Sequence, residues 1–339
     1  MSEVHLLNVS PGDCTIIKHA SGRVSMMDIC CGNLETRQKV VEAAAQTLDS
    51  VSVESIQGNF RMCAWPSNPI NYLKTLGINK LFRFILSHPD MDHMDGLDNL
   101  VNQVGMENFW DTGARRTYSK PTFGNGYNRY KKEDWDAYER IVSGNNPSVR
   151  TAQRLAGAKF AYANEADEQG AAHDSLHILA PSREMLADPN ENDDINEASY
   201  IVTFESEGGK IVLPGDAHDA SWEYAIANHR EHLENTAFLL APHHGRDSNR
   251  SYEFLDVLRP QLTLIGCAPS EHIDYDQWRR RGLRIITSNQ AGNVLLDIND
   301  FGFNVYVENE SFAKKYTNVT HLPRHPSGGY RIMHIRKPG

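Results

Sequence analysis

Four side chains that can bind a metal ion occur within six residues of one another, at His88, Asp90, Asp92 and His93. They directly follow an apolar segment, Lys80–Leu86, that we predict to be a strand, so a tight turn would point them into a common space. Imidazole and carboxylate ligands together suit Zn²⁺, Mn²⁺ or iron and leave coordination positions open for water. The run therefore predicts a metal site. The alternative, a solvated acidic loop, does not explain why a strongly apolar strand leads into it.

Further Asp and His residues come directly after other predicted strands. They are Asp28, Asp216 and the pair His243 and His244. Side chains from separate segments converge where the strands of a layered α/β protein end, and functional residues collect there. Packing alone does not account for four such turns. We therefore expect them to form one site with the 88–93 run.

The motifs, taken in order, resemble the metallo-β-lactamase superfamily. More narrowly, they are similar to the hydrolase domain of ComEC-type DNA-uptake proteins and its stand-alone soluble relatives. The matching segments are Asn8–Cys14, Met27–Cys30, Asn71–Ile78, Leu86–Gly96, Asn196-x-x-Ser199, Leu213–Ala217, Ala241–Gly245 and Thr287–Gly292. Each segment alone is weak, whereas the ordered set, from about residue 4 to 298, is specific.

The resemblance implies an α/β fold, an αββα four-layer sandwich of two mixed β-sheets flanked by helices. It also implies two divalent metal ions, Zn²⁺ or Mn²⁺, at one edge of the sandwich. The implied ligands are His88 and Asp90 for the first ion, Asp92 and His93 for the second, Asp216 as a bridge, and His243 or His244 to complete the second site. The choice between the last two stays open at this stage.

Two features depart from the superfamily pattern. Asp90 stands where a histidine is usual. The Gly-His ligand that usually precedes the bridging aspartate is missing, and Asn196 lies nearest its place. One imidazole fewer weakens the first site for Zn²⁺, so Mn²⁺ competes and occupancy by a single ion becomes an alternative.

The first hypothesis for function is a phosphodiesterase or nuclease that uses a metal-bound hydroxide. Two ions roughly 3.5–4 Å apart lower the pKa of a shared water toward ~7 and offset charge on phosphoryl oxygens. Asp92 is expected to orient the hydroxide, and His244, or His243 if it is not a ligand, to protonate the leaving group. Asp28 is expected to hold a ligand histidine through its second nitrogen, with a turn-stabilising carboxylate as the alternative.

Two other functions remain open at this stage. One is hydrolysis of another ester, such as a phosphorylcholine ester, a cyclic nucleotide, a thioester or a lactone, because a fold does not decide the bond type. The other is a binding or sensor component of a multi-protein system with a depleted metal site. The departures at Asp90 and at the missing histidine motivate this last hypothesis.

Basic and aromatic residues alternate around positions 115–132. Arg115, Arg116, Tyr127 and Arg129 suit pairing with phosphates and stacking on the bases of a single strand. With Asn196 they are the predicted substrate-binding residues, and a charged solvent loop is the alternative. His173 and His177 have the spacing of helical metal ligands but lie in a predicted strand approach, so we interpret them as solvated.

The composition of the 339 residues is that of a globular protein, with 40% hydrophobic and 23% charged residues, which excludes collagen-like and wholly disordered chains. The formal net charge of −10 excludes a generally basic nucleic-acid coat protein or a membrane-surface binder. It leaves room for a locally positive cleft, because bound cations offset acidic ligands. We expect nucleic acid or another phosphodiester as substrate and no membrane partner, while protein partners stay unspecified.

One hydrolase domain is predicted over residues 1–313, with an insertion at about 105–170, followed by a loosely held basic arm over 314–339. A helix is predicted over residues 34–48. No window approaches the ~18 apolar residues of a membrane-spanning helix. The cysteines, at positions 14, 30, 31, 63 and 267, are odd in number and lack C-x-x-C spacing. We therefore expect buried free thiols and a cytoplasmic protein.

Overall fold

The computed structural model describes residues 1–34, 59–116, 118, 123, 130–170, 172–186, 195–248, 250–268 and 272–338. Two β-sheets account for the strands of these segments. The strands are β1 Glu3–Leu6, β2 Thr15–Lys18, β3 Val24–Met27, β4 Leu81–Ile85, β5 Met106–Asp111, β6 Arg150–Gln153, β7 Leu176–Ala180, β8 Ile201–Ser206, β9 Gly209–Leu213, β10 Thr236–Leu240, β11 Leu262–Ile265, β12 Ile285–Thr287, β13 Val294–Asn299, β14 Gly302–Val307 and β15 Tyr330–Arg336.

Both sheets are mixed. The larger has the order β15-β14-β13-β1-β2-β3-β4-β5-β6, antiparallel from β15 to β3 and parallel from β3 to β6. The smaller has the order β12-β11-β10-β9-β8-β7, in which β9 to β12 are parallel and β7 to β9 antiparallel. The carboxyl ends of β3, β4, β9 and β10 therefore lie within the parallel part of each sheet, where their following turns can meet.

Helices flank the two sheets. Those with described bounds are α1 Pro69–Thr75, α2 Leu97–Gln103, α3 Lys132–Val142, α4 Asp219–His229, α5 Phe254–Leu258, α6 Tyr275–Arg280, α7 Ser288–Ala291 and α8 Glu310–Thr317. None of these described helices is long and apolar enough to cross a membrane. The predicted helix over 34–48 lies outside the described residues from position 35 onward.

Three clusters of buried side chains separate four layers. Successive residues of a strand point to opposite faces of its sheet, and β4 shows the consequence. Ile85 joins the core between the sheets, together with Phe238 of β10, whereas Phe84 packs with α1, α2 and α3 on the outer face. On the other sheet, Leu239 packs outward with α4, α5 and α6. The predicted αββα sandwich is confirmed.

The C-terminal segment differs from the loosely held arm that we predicted from residue 314. Residues 310–317 form α8, and β15 pairs with β14 along its length as the edge strand of the larger sheet. Ile332 and Ile335 are buried in the core between the sheets. The buried positions of β15 are three residues apart, where the register shifts, so the sequence lacks the strict alternation that would have indicated a strand.

The prediction of five free thiols is wrong for one pair. Cys63 and Cys267 form a disulfide across 204 positions of sequence. Cys14, Cys30 and Cys31 are buried and are not disulfide-bonded, as expected. Spacing along the chain cannot reveal a bridge between segments that only the fold brings together. Cysteine usage consequently no longer supports a cytoplasmic location.

Candidate metal centre

Backbone strain marks two of the turns that carry the predicted site. Asp28, after β3, has a φ of 58°, while His243 and His244, after β10, have φ values of 51° and 56°. Positive φ is uncommon outside glycine, and such residues concentrate at functional sites, where surrounding structure holds them. Two consecutive left-handed residues aim the imidazoles of His243 and His244 in different directions, with ring planes 72° apart.

Three buried imidazoles are each held through Nδ1. His88 Nδ1 lies 3.0 Å from Ser87 Oγ, and His93 Nδ1 lies 2.9 Å from Asp28 Oδ2. His244 Nδ1 lies 3.2 Å from Asp13 Oδ1. A carboxylate at Nδ1 fixes the orientation of a ring and leaves its Nε2 to act as a ligand.

The second nitrogens of these rings lie close to Asp216. Nε2 of His88, of His93 and of His244, and Oδ1 of Asp216, are buried and have no hydrogen-bond partner among the residues that the structure describes. The Oδ1 atom of Asp216 is 3.3 Å from His93 Nε2 and 3.8 Å from His244 Nε2. Buried polar atoms without partners are rare and costly, and each needs an explanation. A cation shared by these atoms supplies one.

The charges around the site also favour a cation. Burial alone would lower the pKa of His244, but the carboxylates of Asp13 and Asp216 outweigh it and raise the pKa to about 10. The pKa of His93 is likewise raised, against burial, by Asp216, Asp28 and Asp92. The pKa of His88, by contrast, is lowered by burial and by the neighbouring His93. The carboxylates thus make the pocket negative. Without a metal ion, protonation of His93 and His244 is what offsets this charge.

The donor set fits a divalent transition-metal ion. Three overlapping groups have ligand atoms within 4.8 Å of one another, namely His88, His93 and Asp216; Asp92, His93 and His244; and Asp13, Asp216 and His244. Mixed imidazole and carboxylate donors are the ligand types that Zn²⁺ and Mn²⁺ accept. Asp92, His93, His244 and Asp216 alone would complete a four-coordinate site.

Asp90 belongs to none of these ligand groups. Its two carboxylate oxygens accept hydrogen bonds from the Arg116 guanidinium and from the Tyr118 hydroxyl, and Oδ1 also accepts from the Met91 N–H at 2.8 Å. This arrangement differs from the ligand role that the resemblance implies. A guanidinium on the carboxylate offsets its charge as a metal ion would, so His88 and Asp216 are left as the main donors for a first ion.

His243 lies at the rim of the donor cluster. Its Nε2 is 3.7 Å from Asp216 Oδ2, and its side chain is 17% exposed, against 1% for His244. Its Nδ1 is 2.8 Å from Ser248 Oγ and 3.3 Å from Arg250 Nη2. Burial, opposed only in part by Asp216, lowers its pKa to about 3. Of the pair that the sequence left open, geometry therefore favours His244 as the ligand.

The predicted substrate-binding residues are dispersed. Arg115 pairs with Asp111, with Nη1 2.7 Å from Oδ2, and Arg116 lies on Asp90. Asn196 is half-buried in a 3-10 turn, where its carbonyl accepts from the Ser199 N–H at 3.0 Å. Tyr127 and Arg129 lie outside the described residues.

Sequence reasoning missed Asp13 as a site residue, although one of the matching segments, Asn8–Cys14, contains it. Gly12 has a φ of 94°, and a Cβ placed there would lie 2.0 Å from the Asp92 carbonyl oxygen. Only glycine permits that approach, which seats the turn against the Asp92 backbone and brings Asp13 to His244. A Pro-Gly-Asp turn in the first strand connection was the available signal.

Replacing Asp13 by asparagine is expected to weaken metal binding about 10–100-fold, the usual effect of losing a carboxylate that holds a ligand histidine. The amide keeps the shape but lacks the charge that favours His244 Nδ1–H donation. Competition with a fluorescent Zn²⁺ chelator measures the affinity. A partly exposed carboxylate outside the proposed ligand groups, Asp219, which accepts from the Ser251 N–H at 3.0 Å, provides the control as Asp219→Asn. Equal affinities for the Asp13 variant and the wild type would contradict the assignment.

Comparison with known proteins leaves the family open. No protein-family model and no curated protein matches this chain. Similar solved structures include Igni18, a metallo hydrolase from Ignicoccus hospitalis, at 13% identity and a TM-score of 0.47, covering 88% of this chain and 100% of that one. YhfI from Bacillus subtilis, a metallo-β-lactamase fold protein, matches at 8% identity and a TM-score of 0.45, with the same coverage. The ComEC-type resemblance stays a hypothesis.

Proposed function

We propose that this protein is a metal-dependent hydrolase that cleaves phosphodiester bonds, as a nuclease or phosphodiesterase does. The observation that carries the proposal is the grouping of three buried imidazoles around Asp216. Their Nε2 atoms and Asp216 Oδ1 have no hydrogen-bond partner within the described part of the chain. Each ring is oriented by a partner at Nδ1. A structural core has no need of so many unsatisfied donors and acceptors in one place.

Asp92, His93, His244 and Asp216 would hold one divalent ion, Zn²⁺ or Mn²⁺. His88 and Asp216 would hold a second ion more weakly, because Asp90 is engaged by Arg116 and Tyr118. Such an ion lowers the pKa of a bound water and offsets negative charge on phosphoryl oxygens. Asp28 and Asp13 position His93 and His244, so both rings keep Nε2 directed at the ion.

His243 is proposed to donate a hydrogen bond to the substrate. Arg250 can only donate hydrogen bonds, so the His243 Nδ1 that it contacts at 3.3 Å must accept. The proton of this neutral imidazole therefore resides on Nε2, which faces the site beside Asp216. A substrate oxygen at the rim would accept a hydrogen bond from this Nε2–H, in agreement with the partial exposure of the His243 ring.

Two guanidinium groups favour a phosphodiester over a neutral ester. Arg250 lies behind His243, and Arg116 lies on Asp90 beside the donor cluster. The phosphoryl group bears negative charge in both ground and transition states, so fixed cations around the metal ligands stabilise it. A lactone or thioester would gain less from them.

The experiment is a substrate panel for the metal-loaded protein. Single-stranded and duplex oligonucleotides, cyclic nucleotides and bis(p-nitrophenyl) phosphate represent phosphodiesters, and a thioester and a lactone represent acyl substrates. Phosphodiester cleavage that depends on Zn²⁺ or Mn²⁺ is the expected result. Cleavage of the acyl substrates alone would overturn the phosphodiester assignment. Absence of hydrolysis, with wild type and Asp216→Asn binding equally little metal, would favour a sensor with a depleted site.

The two neighbouring histidines should separate in their effects. His244→Ala is expected to weaken metal binding strongly, whereas His243→Ala should leave metal affinity within about threefold and lower kcat instead, since a group acting on the substrate alone contributes to transition-state stabilisation. Parallel metal titrations and steady-state kinetics provide the comparison. A larger loss of metal affinity in His243→Ala than in His244→Ala would reverse the assignment of ligand and rim residue.

A further inference from the structure

A second cluster of potential metal ligands lies away from the candidate metal centre. It consists of His177 on β7, Glu205 on β8 and His232, which ends the 3-10 turn after α4. His232 Nδ1 is 2.8 Å from Glu205 Oε1, and His177 Nε2 is 3.6 Å from Glu205 Oε2. All three side chains are partly exposed, so ions in solution can reach them.

The cluster occupies the opposite end of the smaller sheet. The start of β8 adjoins the metal centre, where the Tyr200 N–H donates to the Ser87 carbonyl. Glu205 lies five residues further along the chain, roughly 16 Å at the ~3.3 Å rise of a strand. On the antiparallel neighbour, His177 pairs with Thr203, so His177 and Glu205 are diagonal neighbours on one face. That face is the outer one, against which α4 packs.

The local charges suit an ion. The carboxylate of Glu205 is half-buried, which raises its pKa, but the hydrogen bond from His232 and neighbouring positive charge, that of Lys210 included, outweigh burial and lower it. Burial and the neighbouring His232 lower the pKa of His177, which keeps that imidazole neutral and able to bind metal. Lys210, the nearby cation, donates its Nζ to the Glu231 and Glu234 carbonyls and so leaves the carboxylate accessible.

The spacing of the donors matches a coordination sphere. Ligands at about 2.0–2.2 Å from a tetrahedral Zn²⁺ lie about 3.4 Å from one another. One ligand atom from each of the three side chains already lies within 4.8 Å of the other two. The rings of His177 and His232 stack with centroids 4.3 Å apart. His177 Nε2 and His232 Nδ1 both lie near the Glu205 carboxylate. Glu231 Oε1, 3.6 Å from His232 Nε2, can orient that ring from behind.

We propose that His177, Glu205 and His232 bind a borderline transition-metal ion such as Zn²⁺ at a structural site separate from the metal centre. The ion would take His177 Nε2, the Glu205 carboxylate and His232 Nδ1, with water completing the sphere. It replaces the proton between His232 and Glu205. Bound there, it ties the edge strand β7 and its neighbour β8 to the turn that follows α4.

The test counts bound Zn²⁺ by mass spectrometry after equilibrium dialysis at a fixed free concentration, and follows thermal unfolding of the same samples. His177→Ala/His232→Ala is the principal variant. His173→Ala is the matched control, because this exposed histidine precedes the same strand but lies outside the cluster. The double variant should lose about one equivalent of Zn²⁺ and show a smaller zinc-dependent rise in Tm than wild type, because only the candidate metal centre still binds zinc, while hydrolysis stays within about twofold of wild type.

Unchanged zinc content in the double variant, or an equal loss in His173→Ala, would overturn the proposal. If the double variant does not fold, Glu205→Gln replaces it, since the amide retains a hydrogen bond to His232 but lacks the anionic ligand. The Glu205→Gln variant must also lose about one equivalent of bound Zn²⁺. Asp216→Asn should still bind zinc at this site, and its failure to do so would likewise count against a separate site.

Discussion

Asp216→Asn is expected to reduce hydrolysis at least about 10³-fold, because metal ions supply several kcal/mol of transition-state stabilisation and each 1.36 kcal/mol is tenfold in rate. The carboxylate of Asp216 is the group that His93 and His244 share, at 3.3 Å and 3.8 Å from their Nε2 atoms. Asparagine preserves the volume and one oxygen. It removes the negative charge that attracts the ion to His93 and His244. Metal affinity should fall together with activity.

The control for this variant is Asp256→Asn. Asp256 is an exposed aspartate of α5, with Oδ2 2.9 Å from Arg281 Nη2, and it belongs to none of the proposed ligand groups. It should retain the activity and metal affinity of the wild type. Steady-state kinetics and chelator competition on both variants give the comparison. An Asp216→Asn protein that keeps more than about a tenth of wild-type kcat/KM at saturating metal would show that this carboxylate is not a ligand, since its loss would then cost less than about 1.4 kcal/mol.

Asp174→Asn is expected to lower the free energy of unfolding by about 3–5 kcal/mol, the cost of leaving a buried charge without its partner. Asp174 Oδ2 lies 2.9 Å from Arg83 Nη1, and the two side chains are 0% and 1% exposed. Arg23 contributes a second ion pair at 2.8 Å. Burial lowers the pKa of Arg83 to about 10, which leaves it charged at neutral pH and dependent on this carboxylate.

The same pair predicts a pH dependence of stability. Burial raises the pKa of Asp174, but the hydrogen bonds from Arg23 and Ser21 and the charge of Arg83 help to outweigh it, so the pKa lies below its ordinary value of 3.8. A lowered carboxyl pKa contributes stability that is complete above the unfolded value and is lost as pH falls through the folded one. The difference between wild type and Asp174→Asn should therefore narrow below about pH 4. Urea unfolding at several pH values measures it, and Asp256→Asn, from an exposed pair, should lose less than about 1 kcal/mol.

Much of this site could be predicted because short-range pattern and chemistry agree. An apolar strand followed by His88, Asp90, Asp92 and His93 leaves few alternatives to a shared pocket. The same logic identified Asp216 after β9, since apolar runs of this kind end at sheet edges. The sandwich itself was predicted only through the resemblance.

The remaining features depend on contacts between distant segments. Asp13 reaches His244 across 231 positions of sequence, and the disulfide joins Cys63 to Cys267 across 204. Asp90 has the right type and spacing for a ligand, yet Arg116 and Tyr118 compete for its oxygens. His243 and His244 are chemically identical in sequence, and only their consecutive positive φ values direct one inward and the other to the rim. Local pattern carries none of this information.

The position of bound metal in a crystal of the zinc-loaded protein tests the central claim most directly. An anomalous difference map should show its strongest peak among Asp92, His93, His244 and Asp216, within about 2.0–2.2 Å of their ligand atoms. A second peak beside His88 should be weaker, and Asp90 should remain on Arg116. A map without a peak among these four residues, in protein that has been saturated with Zn²⁺, would contradict the account.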